Sequence, residues 1–141
     1  MENTKTKVWV KFETPYDAWG DHFDGDVLAV FTYSGVVADY QQYLESAIQY
    51  TKEKIKNESF YRDQHLQAKK EYEEAMKVLG DKIPTELKTD YDRKVHGYEY
   101  CQGKIDTYQS YLDDPNKELE LVNFYLAKEH LAYKAYTLHG E

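Results

Sequence analysis

Apolar positions recur along this chain with two different periods, and the change from one to the other falls near residue 36. Within residues 5–12, KTKVWVKF, Val8, Val10 and Phe12 alternate onto one face, with Trp9 among lysines on the other. Residues 26–34, DVLAVFTYS, are rich in β-branched and aromatic types. A period of two in such residues predicts strands, so the two runs read as an antiparallel ribbon joined by residues 14–26. A two-stranded ribbon is unstable by itself. It must pack on helices or pair its edge with another copy.

From Val37 the period becomes 3.6. Val37, Tyr40, Leu44, Ile48, Thr51 and Ile55 form one stripe, and Tyr61, His65, Ala68, Tyr72, Ala75 and Leu79 form another. The two fall out of phase across Lys56, Asn57, Glu58 and Ser59, which include good cap residues. A single helix over 36–79 would be about 65 Å long at about 1.5 Å per residue, so two helices with a break or kink near Asn57 are preferred, with an elongated coiled-coil arm as the alternative. Gly80 closes the run. Leu87, Tyr91, Val95, Tyr98, Ile105, Tyr108 and Leu112 mark a further stripe, interrupted by Gly97 and Gly103. Each glycine costs about 1 kcal/mol relative to alanine within a helix, which calls for a kink or a close helix crossing. Asp114 and Pro115 supply an N-cap and a first helical residue for a last helix. Residues 119–138, apolar around most of the circumference, predict that this helix is buried at the centre of the bundle.

The expected architecture is therefore α+β and mostly helical: an N-terminal two-stranded antiparallel β-ribbon (1–35) packed on a bundle of three or four long helices (36–141). No repeat, low-complexity tract or linker divides the 141 residues, so a single domain is expected.

Composition adds one strong feature. Of a net charge of −8, residues 12–51 hold seven acids and no base, whereas residues 52–141 hold eighteen acids against fifteen bases. A one-signed region of this kind repels nucleic acid and anionic lipid and attracts basic surfaces. No direct nucleic-acid or membrane binding is expected. No leader or membrane segment is visible, which makes the cytoplasm the expected compartment. The single Cys101 forms no internal disulfide and belongs to no CxxC pair.

Chemistry motifs are missing. The four serines lack GxSxG, the seven glycines form neither a P-loop nor GxGxxG, and none of the five histidines follows a Glu by three residues. Asp92 and His96 could meet across one helical turn as surface decoration. No enzyme activity and no cofactor are expected. The stretch TPYDAWGDHFDGD at 14–26 is the most site-like part of the chain. Asp17, Asp21, Asp24 and Asp26 are spaced four, three and two apart, and Phe31 stands where a calcium loop would need its last Glu, so no metal is expected. Asp24-Gly25 makes a good turn pair before the second strand. Tyr16, Trp19 and Phe23 exceed what a connection needs: they either fold over the helices or stand exposed among carboxylates as interface anchors. Connections of this length are often functional.

The partner-binding residues expected are thus Tyr16, Asp17, Trp19, Asp21, His22, Phe23, Asp24, Asp26 and Asp39. The leading expectation is a non-catalytic acidic protein-binding module. Its sharper form is an inhibitor of the phage or mobile-element kind that occupies the basic, nucleic-acid-binding surface of an enzyme. The rivals are a small-molecule or nucleotide binder lined by some of the fifteen tyrosines, and a homo-oligomer, such as a homodimer formed through the ribbon edge or the helical stripes.

Overall fold

The computed structural model describes residues 6–16 and 19–138. Strands β1 (Thr6–Glu13) and β2 (Val27–Phe31) are followed by helices α1 (Tyr33–Leu79), α2 (Thr85–Asp113) and α3 (Glu118–Leu126), and then by strand β3 (Leu131–Leu138). The class is mostly helical α+β, as the two periods predict. The chain gathers into two compact units: residues 1–51 with 114–141, and residues 52–113. Helix α1 passes from the first into the second at Thr51 and Lys52 without interruption.

In the first unit the sheet order is β2-β1-β3, antiparallel throughout. Partners directly opposite share a face, so Trp9, Lys11, Ala29, Phe31, Tyr133 and Ala135 lie together, and Val8, Val10, Val30, Lys134 and Tyr136 lie on the reverse. The face with Trp9 and Lys11 is the one that meets α1: Trp9 packs against Tyr33, and Lys11 reaches Asp39 and Tyr43. Val8 and Val10, on the more apolar face of β1, are only half-buried. The core of this unit is Phe12, Val36, Tyr40, Ala47, Leu121, Val122, Leu126 and Tyr133.

The third strand replaces the second half of the helix expected over 119–138. Helix α3 stops at Leu126, a single 3-10 turn follows, and His130 takes the left-handed conformation (φ 59°) that usually ends a helix at glycine or asparagine. From there LAYKAYTL is extended, and its tyrosines and threonine suit a pleated surface. Asn123 holds the junction by accepting from the Tyr133 N–H at 2.7 Å and donating to the Tyr133 carbonyl at 2.8 Å. The apolar girdle read as one buried helix is thus a short helix with Leu121, Val122 and Leu126 inward, followed by a strand that pairs along the whole of β1. Asp114 caps the preceding turn as expected, accepting from Asn116 N–H at 2.9 Å beside Pro115.

The second unit is an antiparallel pair formed by the remainder of α1 and α2. The break expected near Asn57 does not occur, because the inner stripe continues through polar residues. Glu58 pairs with Lys104 at 3.8 Å, and Arg62 donates to Gln102 at 2.9 Å. Both are half-buried, so the phase is kept by side chains that a hydropathy pattern scores as gaps. Gly97 is a close crossing: a Cβ there would lie 2.6 Å from the His65 ring. Gly103 has open space around it. Cys101 is buried, with its thiol pKa raised by desolvation and by the neighbouring Glu58. Among the described residues no helix is long and apolar enough to cross a membrane.

Candidate functional site

Residues 13–16 and 22–26 continue the pairing of β1 with β2 beyond the strands. Glu13 N–H donates to Asp26 O at 3.0 Å, Gly25 N–H to Glu13 O at 2.6 Å, and Phe23 N–H to Pro15 O at 3.1 Å. Tyr16 and His22 then form an isolated antiparallel bridge. No turn forms at Asp24-Gly25. Gly25 is required for another reason: a Cβ would stand 2.8 Å from Pro15 Cδ and 3.1 Å from Glu13 O, so only glycine lets the two sides of the stem approach. On the other side, Thr14 N–H donates to His130 O at 2.7 Å, which ties the stem to the start of β3.

Rings reinforce this base. His22 donates Nδ1–H to the Thr14 carbonyl at 2.6 Å, and its ring lies 4.0 Å from Tyr16 and 5.4 Å from His130, while Tyr16 meets His130 edge-on at 5.0 Å. A hollow of about 360 Å³ beside them is lined by Glu13, Pro15, Tyr16, Glu129, His130 and Leu131. Lys134 of β3 reaches Asp24 at 3.8 Å, an exposed pair of small energetic weight.

Of the residues expected to bind a partner, Tyr16, Trp19, Asp21, His22, Phe23, Asp24 and Asp26 belong to this one stem and are all exposed. Asp17 lies outside the described residues. Trp19 is 87% exposed, so the aromatics stand out among the carboxylates instead of folding over the helices. His130, Glu129 and Lys134 complete the neighbourhood. They were invisible to a reading along the chain because a helix was expected there.

Asp39 has a different place. It accepts a short hydrogen bond from the buried Tyr133 hydroxyl and lies 3.4 Å from Lys11 Nζ, which also donates to Tyr43 OH at 2.8 Å. Burial, and then the Asp39 carboxylate, push the Tyr133 phenol above its ordinary range. Burial opposes the Lys11 charge, yet Tyr43 and Asp39 outweigh it and hold its pKa above the usual value. Tyr40 is raised likewise, by burial and by its 2.8 Å bond to Glu118. These groups clamp β1, α1, α3 and β3 together. Such a paired network fixes one packing arrangement and leaves little charge available to a visitor.

Among the described residues, no three His, Cys, Asp or Glu side chains are grouped so as to hold a metal ion. Asp92 and His96 line an open hollow of about 550 Å³ on α2 with Thr89, Arg93, Gly97 and Tyr100. No protein-family model, no curated protein and no solved structure matches this chain.

Proposed function

We propose that this protein is a non-catalytic binding module whose stem at 14–26 docks on a basic surface of a partner protein. The observation that carries the reading is the exposure of Tyr16, Trp19 and Phe23 on a hydrogen-bonded stem that also presents Asp21, Asp24 and Asp26, within forty residues that contain no Lys or Arg. Aromatic anchors set in a rim of charge are the usual composition of interface hot spots, and main-chain hydrogen bonds already formed at the base of the stem lower the ordering entropy lost on binding. One-signed charge adds long-range steering toward a basic partner. In its sharper form the partner is an enzyme that handles nucleic acid, and the stem occupies the groove its substrate would use, as an inhibitor does.

The test is capture from native lysate by the immobilised protein at low salt, with excess duplex DNA as competitor, beside the D21K/D24K variant. Retention of a nucleic-acid-handling protein that DNA displaces and the variant fails to retain supports the reading. Equal retention by the variant overturns it.

A further inference from the structure

Among the described residues, the order β2-β1-β3 pairs β1 on both sides and leaves β2 with one open edge. The backbone groups of β2 that do not face β1 must find water or another chain. Exposed edges are ordinarily blunted by lysine, proline or bulges. Strand β3 carries Lys134, but Val27–Phe31 contains neither a charge nor a proline. Its one irregularity lies at the Phe12 end, which leaves Ala29–Phe31 in regular register with β1. Val27, Leu28 and Val30 are 61%, 51% and 62% exposed. The result is a short apolar edge beside a sheet face that carries half-buried Val8 and Val10 and exposed Val30, Lys134 and Tyr136.

Charge determines what suits that edge. Exposed Asp26 immediately precedes β2, exposed Glu13 is hydrogen-bonded alongside it, and Asp24 is two residues earlier. No base occurs between residues 12 and 51, and the Lys11 ammonium is held by Asp39 and Tyr43 on the opposite face. Lys134 of β3 reaches Asp24 at 3.8 Å, while Asp26 and Glu13 keep the end of the edge acidic, so a second copy would bring like charges to it. A basic segment would neutralise them.

We propose that the β2 edge accepts an extended, basic segment of the partner protein as a fourth strand of the sheet. Main-chain hydrogen bonds to β2 hold the segment, an apolar side chain packs beside Val30 on the outer face, and Lys or Arg lies at the end next to Asp26. This rests on the basic-partner reading and specifies how the partner is gripped.

The experiment is an NMR and amide hydrogen-exchange titration of the full chain with a synthetic octapeptide of alternating valine and lysine, at low and high salt. A matched peptide with alternate backbone amides N-methylated, which cannot pair as a strand, is the control. Saturable binding, at least tenfold slower exchange within Val27–Phe31, weakening by salt, no binding of the methylated peptide and at least tenfold weaker binding to V30K are expected. If both peptides shift residues 19–26 equally and β2 gains no protection, strand addition is overturned while the basic-partner reading stands. Absence of binding by either peptide at either salt overturns both. Protection of β2 that rises with protein concentration without peptide assigns the edge to a second copy and overturns the proposal.

Discussion

The two compact units handle charge in opposite ways. Residues 52–113 carry thirteen acids and twelve bases, and these neutralise one another locally, as in Lys69 with Glu73, Arg93 with Asp90 and Lys104 with Glu58. The remaining residues carry thirteen acids against six bases, and so hold nearly all of the net charge. Within that unit the acids divide again. Asp39 and Glu118 are used inward, bonded to Tyr133 and Tyr40, while Asp21, Asp24 and Asp26 stand on the exposed stem. Balanced charge along a helical pair serves solubility and register. A net surplus of acids beside exposed aromatics favours a basic partner, which is the physical content of the docking proposal.

The largest expected effect breaks the inward half of the first unit. Asp39→Ala leaves the Lys11 ammonium and the buried Tyr133 hydroxyl short of a partner, and should lower stability by about 3 kcal/mol in urea unfolding. A loss under about 1 kcal/mol would mean that the clamp behaves as an ordinary surface pair. In the second unit, Gly97→Ala drives a Cβ into the His65 ring, whereas Gly103→Ala meets nothing. The first should destabilise by about 2 kcal/mol through overpacking, and the second should stabilise by about 0.5–1 kcal/mol through helix propensity. Equal effects at the two sites would contradict the close crossing.

Alkaline pH acts mainly on the first unit. The Tyr133 and Tyr40 phenols have folded pKa values above the ordinary tyrosine value of 10. The unfolded chain therefore loses these protons first, so their stabilisation is complete below pH 10 and drains as the pH rises past it. Urea midpoints measured from pH 8 to 11 should fall above pH 10, and less steeply for Tyr133→Phe than for the parent. Tyr91, bonded to Glu73 in the second unit, shifts in the same direction from a more solvated position. A further stabilising change is expected at Thr51, a fully buried residue of α1 whose hydroxyl has no hydrogen-bond partner among the described residues. Thr51→Val keeps the shape and removes the orphan, and should raise stability by about 1 kcal/mol; a loss would reveal a partner for that hydroxyl.

The periods along the chain made the ribbon, the two long helical stretches, the Gly80 stop and the Asp114-Pro115 start legible, because each depends on local pattern or cap chemistry. The stem residues were legible too, since aromatics among one-signed charges are conspicuous without a fold. Two features were not. The continuity of α1 depends on Glu58 and Arg62, whose partners on α2 are forty or more residues away. The end of α3 depends on His130 adopting a conformation with no glycine to announce it, and on a β1 edge that only tertiary structure supplies. Missing β3 also hid His130 and Lys134 from the candidate surface.

Hydrogen exchange on the complex with a captured partner locates the docking surface. Slowed exchange is expected across residues 13–31, lost at high salt together with binding, with no change along residues 52–113. Protection confined to α2, with the stem exchanging as freely as in the isolated protein, would contradict the docking proposal.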